Sequence, residues 1–186
     1  IVAAEETYRR TLALTLQRSG ALHVDTLYVQ AWFGWFLHRS SRRDEAWSLL
    51  LAADQALTQA SFPPFTDNNV KANLLYALVA EGRFDEAEPL LDMMIVRFQK
   101  IADGKNWLLV NFLRQQALQR LGQGRVAQAE LSLAEAWRRH DELTPEQRRS
   151  ATDALALTAA RFVVARGDAD GALRALARLQ QRGADE

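Results

Sequence analysis

A short turn followed by alanine recurs at nearly constant spacing along this chain, and no other feature constrains the fold as strongly. The motif reads SSRRDEA, GRFDEA, GRVAQA and GDADGA, and its last residues are Ala46, Ala87, Ala129 and Ala172. The intervals between these alanines are 41, 42 and 43 residues, and one further step back from Ala46 reaches Ala4. A period of this length indicates a protein built from one repeated supersecondary unit.

The segments between the turns have the pattern of helices. They run for about 15–20 residues with apolar side chains at helical spacing, and no strand-like alternation interrupts them. Residues that cap helices precede several of these segments. Thr144 and Gln147 have the spacing of a capping box, with Pro145 at the first helical position. Further caps are predicted at Thr66 and Asp67 and at Asp25 or Thr26. The sequence therefore predicts an all-α fold.

Each repeat is predicted to be a hairpin in which helix A runs into the tight turn and helix B begins near the marker alanine. The small alanine side chain lets the two helices approach closely. One hairpin cannot bury its apolar face alone, so neighbouring hairpins are expected to stack. The prediction is a single domain of residues 1–186, with a partial repeat at 1–20 and hairpins at about 25–60, 66–102, 105–140 and 145–183.

Composition excludes several classes of function. The chain has 23 basic and 23 acidic residues, so no net charge attracts it to nucleic acid or to a membrane surface. It has no cysteine, which excludes disulfides and thiolate chemistry. No apolar run reaches the roughly 18 residues of a membrane span. We therefore predict no nucleic-acid partner and no membrane insertion.

The first residue is Ile1, without a methionine or a signal peptide, so the sequence is expected to belong to a larger protein. We expect a cytoplasmic location. The absence of cysteine suits the periplasm equally.

The titratable residues do not form a catalytic or metal-binding pattern. His23, His38 and His140 are far apart, and none has a partner at ligand spacing. The acidic pairs 44–45 and 85–86 open predicted helices B, where negative charge favours the helix dipole. We therefore predict no catalytic residue, no metal, no cofactor and no enzymatic activity.

The units resemble tetratricopeptide repeats. The family's signature positions are matched in one unit by Leu74, Leu78, Gly82, Phe84 and Ala87, and in the preceding unit by Phe33, Gly34, Leu37 and Ala46. Ser41 and Arg43 depart from the pattern. The stretch AEETYRRTLALTLQRSGALHVDT is similar to the longer repeat variant of kinesin light chain and of many bacterial proteins. The resemblance covers essentially the whole chain and implies a right-handed superhelical solenoid of antiparallel helix hairpins, with a bacterial origin.

In this family helix A of each unit lines a concave groove that holds a peptide, and helix B lies outside. The resemblance implies a peptide-binding site composed of Tyr28, Trp32, Trp35, His38, Arg39, Asn69, Asn73, Tyr76, Asn111, Arg114, Gln115 and Arg161. Leu118 and Thr158 take further groove positions. Asn73 falls where the family often places an asparagine that bonds the main chain of the peptide.

The spacing of the aromatic residues in the second unit agrees with a binding surface. Five of the implied residues stand on one helical stripe, at i, i+4, i+7, i+10 and i+11 from Tyr28. Phe33 and Leu37 lie on a separate stripe, which is predicted to face helix B. Aromatic, arginine and asparagine side chains are those that peptide recognition uses. The alternative is that Trp32 or Trp35 packs at an interface between helices, as most aromatic residues of a solenoid do.

Two functions follow from these patterns. The first is a non-catalytic scaffold that binds a protein or peptide in the concave groove. The alternative is a regulatory or self-associating appendage of a larger signalling enzyme or transcription regulator, which would form a homodimer through the ends of the solenoid.

Overall fold

A computed structural model describes residues 2–59, 62, 66–101, 105–168 and 170 of the chain. The regular structure of these residues is helical, and they contain no strand. The all-α prediction is therefore confirmed for the described part of the chain. The chain divides into two compact units, Ile1–Glu81 and Gly82–Glu186.

The described residues of the first unit form four helices. They are α1 (Val2–Ser19), α2 (Val24–Arg39), α3 (Arg43–Gln59) and α4 (Asn68–Ala80). Gln30 Nε2 donates to the Leu49 carbonyl, and further along α2 Leu37 packs on Ala46 at the start of α3. The later residue of α2, Leu37, therefore meets the earlier residue of α3, Ala46. The two helices are antiparallel. Phe33 belongs to the same buried cluster as Leu37 and Ala46, which agrees with the prediction that Phe33 and Leu37 face helix B.

Helices α1 and α4 both pack against α2. The ring of Tyr8 on α1 stacks on Phe33, with 5.6 Å between the ring centroids. Near the start of α2 the Tyr28 hydroxyl meets Thr66, and further along α2 Trp35 meets Tyr76 of α4. The later residue of α2, Trp35, meets the later residue of the second segment, Tyr76, so α2 and α4 are parallel. The two helices that the repeat assigns as helices A therefore lie side by side.

The described residues of the second unit also form four helices. They are α5 (Phe84–Gln99), α6 (Trp107–Gly122), α7 (Val126–Asp141) and α8 (Pro145–Ala165). Ser132 of α7 bonds the side chains of Gln116 and Arg120, and Arg120 also donates to the Gln128 carbonyl. These bonds pair α6 and α7 as an antiparallel hairpin, and α8 packs on both helices.

For two of the predicted hairpins, the described residues of a single unit do not include both helices. The boundary between the units falls in the turn of the hairpin predicted at 66–102, so its helices α4 and α5 belong to different units. Of the hairpin predicted at 145–183, only the first helix can be described, because the marker Ala172 and the second helix lie outside the described residues.

The hairpin turns repeat in conformation as well as in sequence. The φ angles of Ser41, Gly82, Gly124 and Gly167 are 63°, 74°, 73° and 84°. These four residues have the same spacing as the marker alanines, and each sits at the end of a predicted helix A. Glycine adopts positive φ without the steric cost of a Cβ. Ser41 departs from the repeat in sequence but keeps its turn.

The predicted helix caps have different outcomes. The Thr144 hydroxyl accepts from the Gln147 N–H and the Gln147 side chain accepts from the Thr144 N–H, which confirms the capping box. Asp67 precedes α4 but makes no side-chain cap bond to its main chain. The prediction that Asp25 or Thr26 caps α2 is wrong. The cap is His23, because the helix already begins at Val24 and the His23 imidazole Nδ1 accepts from the Asp25 N–H.

We expect Ser41→Gly to raise the free energy of unfolding by about 0.5–1 kcal/mol, because glycine removes the strain of a Cβ at positive φ. Urea denaturation followed by circular dichroism measures the change. The matched control is Gly82→Ser, which introduces the same strain into an equivalent turn and should lower the stability by about 1 kcal/mol. A Ser41→Gly protein no more stable than the parent would contradict the strain at this turn.

Candidate functional site

Three of the implied groove residues, Tyr28, Trp35 and Tyr76, lie between the parallel helices α2 and α4. The Tyr28 hydroxyl donates to the Thr66 carbonyl at 2.7 Å, and the Trp35 and Tyr76 rings are 5.8 Å apart between centroids. All three side chains are partly buried. Burial raises the pKa of the Tyr28 phenol, and the negative charge of Asp67 adds to the effect. These rings join the two helices and leave part of their surface to solvent.

His38 lies in a cluster at the C-terminal end of α2. Its ring stacks on Trp35 at 5.4 Å and meets Trp47 edge-on at 6.3 Å. Its Nε2 lies 3.1 Å from Glu81 Oε1, while Glu81 Oε2 accepts from the Trp47 indole N–H at 3.0 Å. Arg43 Nε lies 3.5 Å from the same carboxylate. Only 9% of the His38 side chain is exposed, so the residue acts mainly within the fold.

Trp32 faces α1, whereas Trp35, three residues further along α2, faces α4. It is 44% exposed and, with Val29, lines a cleft between α1 and α2. The stripe that the sequence places along α2 is therefore divided: Trp35 contacts Tyr76 of α4, while Trp32 faces the cleft. Arg39, another residue of the stripe, is exposed at the end of the helix.

Asn73, the residue implied to bond a peptide main chain, is buried. Only 1% of it is exposed, and its Nδ2 donates to the main-chain and side-chain oxygens of Asn69, both at 3.0 Å. Its Oδ1 has no hydrogen-bond partner. A buried oxygen without a donor costs about 1–3 kcal/mol. In this structure Asn73 meets its own helix rather than the solvent.

In the second unit the structure brings Asn111 and Arg114 together in a small cleft between α6 and α8, with a volume of about 70 Å³. Arg114 Nη2 donates to Asn111 Oδ1 at 2.7 Å. Trp107 lines the same cleft and is 42% exposed. Of the other two implied residues, Gln115 is buried and Arg161 is exposed on α8. Trp107 is not among the residues predicted from the sequence, although it stands one helical turn before Asn111.

Arginines in the hairpin turns join successive helices B within each unit. Arg42 binds Glu5 of α1 and Glu45 in the first turn of α3, the helix that follows it, and Arg125 binds Glu88 of α5 at 3.1 Å. The inter-helix pair spans 37 residues in both units. Hydrogen bonds from Arg42 lower the pKa of the Glu5 and Glu45 carboxyls. Because these ion pairs are partly exposed, they are expected to add little to stability.

One trio in the second unit has the residue types of a catalytic triad. His140 Nε2 lies 2.9 Å from Thr152 Oγ1, and His140 Nδ1 lies 3.3 Å from Asp141 Oδ1. In a working triad the hydroxyl gives its proton to the imidazole. Here the Thr152 hydroxyl donates to the Arg148 carbonyl at 2.8 Å, which leaves its oxygen to accept from the imidazole. His140 is also buried, and this hydrogen-bond direction is opposite to the one that a triad uses.

The described residues form neither a metal-binding cluster nor a membrane span. They contain no group of three or more His, Cys, Asp or Glu placed to hold a metal ion. None of their helices combines the length and the hydropathy needed to cross a lipid bilayer.

Comparison with known proteins found no matching family model, no similar curated protein and no similar solved structure.

Proposed function

We propose that this chain is a tetratricopeptide-like solenoid that binds a peptide segment of a partner protein along its helices A and catalyses no reaction. The observation that carries the proposal is one face of α6. Trp107, Asn111 and Arg114 stand there at i, i+4 and i+7 and line one cleft with α8. An exposed indole offers a large contact area, and the amide and guanidinium groups can bond peptide carbonyls.

Two further observations support the solenoid. The same positive-φ turn recurs at the repeat spacing, and in the first unit the helices A, α2 and α4, pack side by side. Both features are expected where identical hairpins stack on their neighbours. The aromatic residues Trp35 and Tyr76 give the first unit a partly exposed surface on the corresponding helices.

Selection from a synthetic library of unstructured peptides tests this function. We expect the parent protein to retain specific peptides, and we expect Arg114→Ala to weaken their binding about tenfold or more, because the guanidinium bonds are lost. Asn111→Ala should have a similar effect. Binding is measured by isothermal titration calorimetry, and circular dichroism checks that each variant is folded.

The matched control is Arg138→Ala, which removes an exposed arginine from α7, a helix B. It should leave peptide binding unchanged. A parent protein that retains no peptide above background, or a folded Arg114→Ala protein that binds as tightly as the parent, would refute the proposed site.

A further inference from the structure

We propose that the cleft between α6 and α8 accepts one valine-sized apolar side chain of the bound peptide, and that Ala154 sets this limit on size. The inference rests on the proposed function, because it names the class of peptide that the same cleft selects. Its main support is a comparison within the chain. The repeat assigns the walls of the cleft to equivalent positions in the first unit, where the corresponding space is filled by a side chain of the protein itself.

The two pairs of helices A can be compared residue by residue, because the repeat keeps one register. Helices α2 and α6 end 83 residues apart, at Arg39 and Gly122. Helices α4 and α8 end 85 residues apart, at Ala80 and Ala165. The marker alanines of the same units give the same two shifts. Position by position, α6 is therefore equivalent to α2, and α8 is equivalent to α4.

In the first unit a tyrosine fills the space between the two helices A. Tyr28 of α2 is partly buried, and its hydroxyl donates to the carbonyl of Thr66, just before α4, at 2.7 Å. Ala31, three residues further along α2, is fully buried. The phenol ring of Tyr28 therefore extends from α2 across to the beginning of α4.

The equivalent residues of the second unit have shorter side chains. Asn111 stands at the position of Tyr28, so the aromatic ring is missing. On α8, Ala151 and Ala154 stand at the positions of a threonine and an asparagine. All three of these residues line the cleft. The space is therefore open because of the residue types within α6 and α8.

The volume of the cleft limits the side chain that can enter. The cleft has about 70 Å³, whereas an apolar cavity that holds a benzene ring has about 150 Å³. A side chain with the three carbons of valine fits this volume, and a phenyl ring does not. The buried lining residues Val110, Ala151 and Leu155 are apolar, so a polar side chain would lose its hydrogen bonds to water there.

Arg114 adds a limit on charge. It is the one charged residue among the described residues that line the cleft, and it stands at the position of the buried Ala31 of α2. Because like charges placed side by side repel each other, a lysine or arginine of the peptide is excluded. The occupant is therefore a small apolar side chain, on a peptide whose main chain meets Asn111 and Arg114.

The test begins with one peptide that the parent protein retains from the library. We expect the retained peptides to share a residue of the size of valine at one position. Four synthetic versions of the peptide carry glycine, valine, phenylalanine or lysine there and are otherwise identical. In isothermal titration calorimetry the phenylalanine and lysine versions should bind the parent protein about tenfold or more weakly than the valine version.

Ala154→Leu reverses this preference, because it places three further carbons in the cleft and keeps Asn111 and Arg114. The valine peptide should bind the variant about tenfold or more weakly than it binds the parent, and the glycine peptide should bind both equally. The matched control is Ala134→Leu on the exposed side of α7, which should change the binding of neither peptide. Circular dichroism checks that both variants are folded. The peptide series with the parent protein does not depend on either variant.

Three results would overturn the proposal. Peptides that require Arg114 but bind equally well with valine, phenylalanine or lysine would refute the side-chain pocket and leave the proposed function intact. Equal weakening of the valine and glycine peptides by a folded Ala154→Leu protein would show that the leucine obstructs the peptide main chain. A parent protein that retains no peptide would refute the pocket and the proposed function together.

Discussion

Replacing Gly34 with leucine is expected to lower the free energy of unfolding by about 3 kcal/mol, because α2 and α3 lie close together at this residue. A Cβ on Gly34 would lie 2.8 Å from Leu50 Cγ and 3.2 Å from the Ala46 carbonyl oxygen. Leu50 and Ala46 are both fully buried, so neither can retreat without opening the hairpin. Overpacking a core typically costs about 1–3 kcal/mol, and leucine adds four carbons. Urea denaturation followed by circular dichroism gives the value.

The matched control for this substitution is Ala52→Leu on the exposed side of α3, which should change the stability by less than about 0.5 kcal/mol. Gly34→Ala should fall between the two, because the better helix propensity of alanine, about 1 kcal/mol, offsets part of the clash. If Gly34→Leu is as stable as Ala52→Leu, the two helices do not approach each other closely at Gly34.

The repeat predicts those parts of the fold that depend on short-range contacts. The side of α2 that faces α3 follows from the spacing of Phe33 and Leu37 relative to the marker Ala46, and the structure confirms it. The four positive-φ turns follow the same spacing, even where Ser41 replaces glycine. Such features depend on helical periodicity and on one tight turn, and both are encoded locally. The solenoid and its groove stay predictions.

The placement of the candidate site residues depends on contacts between segments that are far apart in the sequence. The repeat pattern does not specify such contacts. Trp32 and Trp35 are three residues apart on one stripe of α2, but Trp32 faces the cleft with α1 and Trp35 contacts Tyr76 of α4. Asn73 takes a groove position in the repeat, yet it is buried. Periodicity assigns a residue to a face of its helix, whereas the burial of that face depends on which other helices cover it.

The pairing of His38 with Glu81 is a contact of this kind, because the two residues are 43 positions apart. We expect Glu81→Ala to lower the free energy of unfolding by about 2 kcal/mol. The substitution removes the oxygens that face His38 Nε2 and accept from the Trp47 indole N–H, and losing the partner of a buried polar group costs about 1–3 kcal/mol. Glu81→Gln keeps one acceptor oxygen and should cost about half as much. Urea denaturation measures both variants.

The control is Glu86→Ala, which removes a carboxylate from an exposed pair with Arg83 and should leave the stability nearly unchanged.

The comparison of the two variants also tests how His38 is held. If Glu81→Ala destabilises the protein and Glu86→Ala does not, the carboxylate holds the His38 ring inside the fold. Trp35 then stacks on an imidazole that the Glu81 carboxylate holds in place. Equal stability of the two variants would mean that the Glu81 carboxylate does not stabilise the fold through His38 and Trp47.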